Sequence, residues 1–109
     1  MMKPWALDYY NAKVAAQVEA WPAGIRASFL RIAEAMTEHG PNIGMPHTRA
    51  MGGGLFEVRA KGSEGIGRAF YCAVVAQRIV ILHAIVKKTE QTPARDLDTA
   101  RARLKEVRA

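Results

Sequence analysis

The chain has little of what usually staples a small fold. Cys72 is its single cysteine, so no intramolecular disulfide can form, and neither a CxxC pair nor a Cys/His zinc spacing can be assembled. Its simplest role is that of a small buried apolar residue. Long apolar runs are missing too. The longest candidate, Val74 to Val86, is interrupted by Gln77, Arg78 and His83 and falls short of the roughly 20 residues of a membrane-spanning helix. Lys3 is followed by Pro4, Trp5 and Asp8 rather than by an apolar signal core, so export is not indicated and a soluble, cytoplasmic protein is expected. No internal repeat, low-complexity tract or linker divides the 109 residues, whose 50% hydrophobic and 24% charged composition is that of one domain, residues 1–109.

Acidic residues are also scarce, 10 against 16 basic ones, and the resulting +6 is spread unevenly. Met1 to Val58 holds five of each sign, whereas from Arg59 onward eleven basic residues meet five acidic ones. A one-sided basic surface implies a polyanionic partner, with RNA, DNA and an acidic protein all allowed.

Apolar periodicity gives the order of elements. Trp5, Leu7 and Tyr9 alternate within Pro4 to Tyr10, as in a short strand. Val14, Val18 and Trp21, then Ile25, Phe29, Ile32, Ala33 and Met36, recur at helical spacing on either side of Pro22, which reads as two helices or one broken there. Gly40 is a suitable stop, and the segment Gly40 to Gly54, with five glycines and two prolines, reads as a loop. Three strands are expected beyond it, Leu55 to Lys61, Gly67 to Ala76 and Arg78 to Lys87, joined by short turns into an antiparallel meander. In the first of them Phe56, Val58 and Ala60 form the apolar face and Glu57, Arg59 and Lys61 the polar one. Thr92-Pro93 opens a basic amphipathic helix with a narrow stripe of Leu97, Ala100, Leu104 and Val107. The expected fold is α+β, a small antiparallel sheet with helices on one face, in the order β-α-α-β-β-β-α.

Three blocks in this second half occur in a familiar order. They are Gly54-Leu55-Phe56-Glu57-Val58-Arg59, then Arg68 with Phe70 and Tyr71, then Ile79 to Lys88 with Thr89, Thr92-Pro93, Ala100 and Arg103. Together they resemble the phage-derived, HigB-like branch of the RelE/ParE toxin superfamily, whose order of elements is the same. Over the first half only that order and the turn Gly40-Pro41-Asn42-Ile43-Gly44 match. The resemblance implies the toxin of a type II toxin–antitoxin system. Such a toxin is a ribosome-dependent endoribonuclease that cleaves messenger RNA by 2′-OH attack without a metal or other cofactor, and its partner is a helix-turn-helix antitoxin. One departure from the family pattern is Glu64, in a turn where relatives carry more basic residues. Metal independence agrees with the residues, because His39, His47 and His83 fall on different elements with no HxxE, HExxH or paired-Asp spacing.

Cleavage by an RNA's own 2′-OH requires removal of that proton, stabilisation of charge on the phosphorane and protonation of the leaving 5′-oxygen. Guanidinium groups suit the charge, since each holds phosphate oxygens through parallel hydrogen bonds. Arg59 and Arg68 are assigned to it, Lys87 to orienting substrate or giving a proton, and Lys88 and Lys61 to RNA contact. Glu57 is either a base or the partner of Arg59 or a helix residue in a salt bridge. His83 is either an acid–base group or a core histidine, since it shares strand parity with Ile79, Ile81 and Ile85. Tyr71 either stacks on a base or packs in the core. Lys61 could equally be a solvated turn residue, and the last helix either solvates the chain or meets RNA or the antitoxin. Two other functions compete: a ParE-like inhibitor of DNA gyrase that cuts nothing, and an inactive homologue that only binds antitoxin.

Overall fold

The computed structural model describes residues 4–87 and 91–108; Lys88 and Thr89 of the motif lie outside them. The described elements are β1 (Ala6–Tyr9), α1 (Ala12–Glu19), α2 (Ala23–His39), β2 (Thr48–Gly52), β3 (Leu55–Gly62), β4 (Gly65–Val74), β5 (Arg78–Lys87) and α3 (Ala94–Arg108). They form one five-stranded sheet in the order β1-β5-β4-β3-β2. β2 to β5 are an antiparallel meander, and β1 adds to the far edge parallel to β5.

The two early helices form as their stripes require. Asn11 caps α1 by accepting the N–H of Val14 at 2.9 Å, Pro22 separates α1 from α2, and Gly40 ends α2 at φ +112°. Val14, Val18, Trp21, Ile25, Phe29, Ile32 and Met36 are buried against Val58, Ala60, Ala69, Tyr71, Ile79, Ile81 and Ala84 of the sheet.

Three expectations need correction. The stretch from Gly40 to Gly54 is not all loop, because Thr48–Gly52 forms β2, an edge strand with a register shift between Ala50 and Gly52; an edge tolerates the glycines that a central strand would not. The sheet is mixed, since β1 runs parallel to β5. The helices are not on one face: α1 and α2 pack on one side and α3 on the other, where Ala100 and Leu104 cover Leu55, Phe70, Cys72, Val80 and Leu82. β4 and β5 carry apolar residues at consecutive positions, so both faces need cover, and the stripe of α3 supplies the second. Cys72 is buried there, as read from the sequence, and burial raises the pKa of its thiol.

Glu64 has a structural use. Pro22 precedes α2 without a side-chain cap, and Glu64 in the β3–β4 turn accepts the N–H of Gly24 at 3.0 Å instead. This requires close approach. A Cβ on Gly67 would lie 2.6 Å from Ile25 and 2.7 Å from Trp21, and one on Gly62 would lie 2.7 Å from the Ile25 nitrogen. The Gly24 N–H, the largest cause, holds the Glu64 carboxyl below its ordinary value of 4.5. A depressed carboxyl pKa gives stability that is present above the unfolded value and lost as pH falls through the folded one. We therefore expect Glu64→Gln to lower the melting temperature at neutral pH, and the gap from the parent to close as pH drops below about 4.5, its ordinary value. Parallel thermal melts across pH 3–7 (about the carboxylate range) check this.

Candidate nucleic-acid interface

Cross-strand register sets the site, since residues directly opposite in a ladder share a face. Three rows cross the α3 side of the sheet: Arg49–Glu57–Phe70–His83, then Arg59–Arg68–Ile85, then Lys61–Ile66–Lys87. A register shift between Phe70 and Tyr71 leaves Leu82 as the extra residue of β5. It changes the parity of the strand. Ile79 and Ile81 pack towards α1 and α2, whereas His83 and Ile85 lie on the α3 side. The parity that grouped His83 with Ile79 and Ile81 is thereby corrected, and Lys87 joins the face of Arg59 and Lys61.

An ion-pair network joins the first row to Arg68 of the second. Glu57 is fully buried; its Oε2 accepts from Arg68 Nη1 at 3.1 Å and its Oε1 from Arg49 Nε at 3.1 Å. Its partners are thus on the two adjacent strands, where the sequence reading placed them on Arg59 or a helix. Arg68 is itself 0% exposed, so its guanidinium is part of the sheet interior rather than of an open phosphate-binding surface. Its expected contact with substrate is corrected accordingly. Arg59 is half-buried and has contacts of its own, Lys61 is exposed, and Lys87 is half-buried.

His83 is held by α3. Its Nε2 lies 2.7 Å from Asp96 Oδ1, its ring stacks on Phe70 at a centroid distance of 6.4 Å, and its side chain is 14% exposed. Its Nδ1 is buried without a hydrogen-bond partner among the described residues. Tyr71 faces the other way. It is fully buried, stacks on Phe56 and donates its hydroxyl to the Pro41 carbonyl, and burial pushes the phenol up to about 12. It is a core residue, which corrects the base-stacking expectation.

The basic surface of α3 is largely used in docking the helix. Arg101 donates to the Met51 and Gly52 carbonyls at 3.0 and 3.2 Å, Arg103 to Leu82 at 2.7 Å, and Arg108 to Gly53 at 3.1 Å. Sequence reasoning missed Arg31 and His47. Arg31 of α2 and His47, just before β2, line a cleft of about 270 Å³ with Ser28, Pro46, Arg59 and Lys61. No local signal pointed to it, because each residue comes from a different element. A second recess, of about 490 Å³, lies between Lys87 and the start of α3. Among the described residues no group of three or more His, Cys, Asp or Glu could hold a metal ion, and no helix is long and apolar enough to cross a membrane.

Residues 16–105 match the model of the family described as phage derived protein Gp49-like. The chain belongs to this family. A solved structure with the same fold is the crystal structure of the archaeal RelE–RelB complex from Pyrococcus horikoshii OT3, whose matched chain is 16% identical with a TM-score of 0.52. The match covers 83% of this chain and 100% of that one. No curated protein matches. The Gp49-like region starts within α1 and ends within α3, so Arg59, Lys61, Arg68, His83 and Lys87 all lie inside it and β1 lies outside. The fold is thus RelE-like, as the resemblance implied.

Breaking a buried ion pair by removing one partner costs about 3–5 kcal/mol. We expect Glu57→Ala to destabilise by this amount in urea unfolding, and the double replacement Glu57→Leu with Arg68→Met to cost much less. An equal loss for both would mean that the pair is not the unit.

Proposed function

We propose that this chain is the toxin of a type II toxin–antitoxin pair, a HigB-like endoribonuclease that cuts messenger RNA at the ribosome in the cytoplasm. Its partner in the resting cell is a helix-turn-helix antitoxin. The observation that carries the reading is the convergence of Arg59, Lys61 and Lys87 on one end of one sheet face, beyond the first turn of α3. Membership of a phage-derived family and a fold shared with a RelE–RelB complex support it.

In this reading the 2′-OH loses its proton to a general base, the 2′-oxygen bonds to the adjacent phosphorus and the bond from phosphorus to the 5′-oxygen breaks. A 2′,3′-cyclic phosphate and a 5′-hydroxyl result. No metal takes part. Arg59 and Lys61 hold the phosphate oxygens as charge builds on them, and Lys87 protonates the leaving oxygen. Lys88 extends the RNA contact. Arg68 acts from behind, fixing β3 against β4 through Glu57. His83 is a positioning residue, because Asp96 occupies its Nε2 and its other nitrogen is enclosed.

The test incubates purified protein with translating ribosomes and a defined message and maps new 5′ ends. The parent cuts, and Arg59→Ala and Lys87→Ala each lose activity on the order of 10²-fold, as expected for removal of one preorganised charge stabiliser. Val75→Ser, at the opposite end of the sheet and 86% exposed, cuts as the parent does. An intact message together with inhibited DNA gyrase would sink the proposal in favour of a ParE-like inhibitor.

A further inference from the structure

The cleft at the open end of β3 adjoins a smaller recess on α2. β2 pairs with β3 only as far as Val58, and the N–H of Arg59 bonds to the His47 carbonyl, so β3 beyond this point has an edge that β2 does not cover. Along that edge Arg31, His47, Arg59 and Lys61 line about 270 Å³ together with Ser28 and Pro46. Directly beside it a smaller recess of about 150 Å³ shares Ser28, Arg31 and His47 and is completed by Ile32, Ala35 and Ile43. One half is cationic and the other apolar, and three residues belong to both.

Three of the polar groups here, Arg31, His47 and Lys61, are set apart from the other basic side chains by what those bind. Arg49, Arg68 and Arg78 pair with carboxylates, and Arg26, Arg101, Arg103 and Arg108 donate to backbone carbonyls. Arg31, His47 and Lys61 have no ion-pair partner among the described residues. Arg31 and His47 are exposed, on the α2 side of the edge opposite the row that contains Lys87.

We infer that the paired recess is a nucleotide subsite for single-stranded RNA, with the backbone phosphate next to the one at Lys61 held by Arg31 and His47 and the adjoining base laid against Ile32, Ala35 and Ile43. Single strands are recognised by joining phosphate contacts to base contacts, and this pairing of a cationic and an apolar recess matches the two halves of a nucleotide. The subsite rests on the reading of RNA as substrate and extends it. RNA crossing the sheet end at Lys61 continues around the edge of β3 onto α2, so the strand is gripped on both sides of the reacting phosphate. A carboxylate-rich peptide would be drawn to the same charge but makes no comparable use of the apolar half.

The test uses a 2′-O-methyl hexaribonucleotide, which lacks the attacking hydroxyl and cannot be cut, so binding is read apart from cleavage. Titrated into the full chain, it should shift the amide signals of Ser28, Ile32, Ala35 and Ile43. Arg31→Gln should reduce the slope of log K against log salt by about 0.7, the loss of one phosphate contact on a single strand. Lys13→Gln, removing an exposed charge on α1, should leave the slope unchanged. Ala35→Phe, which fills the apolar recess, should weaken binding roughly tenfold without altering the slope, about what one lost base contact implies. Equal slope losses for Arg31→Gln and Lys13→Gln, amide shifts that bypass α2, or shifts there with a poly-glutamate peptide and none with the oligonucleotide would each overturn the subsite. Failure to cut message while these binding results hold would remove the nuclease reading and leave the subsite standing.

Discussion

A carboxylate and a guanidinium are enclosed in the middle of the sheet, Glu57 and Arg68, 3.1 Å apart and both without solvent exposure. Burying either without a counter-charge would cost several kcal/mol, and each supplies the other with one. That requirement reaches beyond the pair. Glu57 and Arg68 are on adjacent strands one register row apart, and their contact holds only in the observed alignment of β3 with β4. A slip of one residue between the strands would turn one of the two side chains to the α1 and α2 side, into an apolar core, and leave it on the opposite face from the other. The pair therefore fixes the register that places Arg59 opposite Arg68 and Lys61 opposite Ile66. Arg49 completes the carboxylate's hydrogen bonds from β2 and ties the short edge strand to the same arrangement.

Positive charge divides accordingly into two kinds. On α3, Arg101, Arg103 and Arg108 aim at backbone carbonyls at the end of β2, in the β2–β3 turn and on β5. A helix with so narrow an apolar stripe gains little from burial alone, and these charge-assisted bonds add to its attachment. Around Lys61 and Lys87, by contrast, cations gather where α3 no longer covers the sheet. The concentration of basic residues after Arg59 thus divides between docking of a helix and a cationic end of the sheet, and total charge cannot separate them.

How much of this was legible in the sequence follows from the range of each cause. The stripes Val14–Val18–Trp21 and Ile25–Phe29–Ile32–Met36 are set by local periodicity, and the alternation from Leu55 to Lys61 likewise, so helices and strand were readable. β2 was not, because its glycines speak for a loop unless the partner strand is known. In Ile79-Val80-Ile81-Leu82 every residue is apolar, so nothing in the pattern marks where the parity changes, and His83 was assigned to the wrong face. Burial of Arg68 could not be foreseen either, since its partner Glu57 is eleven residues away and the choice between Arg59, a helix residue and a neighbouring strand is made by register. Arg31 and His47 join Lys61 only through the packing of α2 beside the edge of β3.

The extra residue in β5 links these features. An inserted residue leaves its backbone groups without partners in the ladder, and a buried carbonyl left so is costly. Here the carbonyl is that of Leu82, and Arg103 of α3 donates to it at 2.7 Å while its guanidinium lies 4.7 Å above the ring of Tyr10. Tyr10 in turn donates to Glu106 of α3 at 2.6 Å. One residue further along β5, His83 meets Asp96 at the start of the helix. The irregularity that turns His83 and Lys87 to this face thus also creates the acceptor that seats α3. A regular β5 would have placed Lys87 on the side of α1 and α2 and left Arg103 without its acceptor, so the position of the helix and the cationic end of the sheet have one origin.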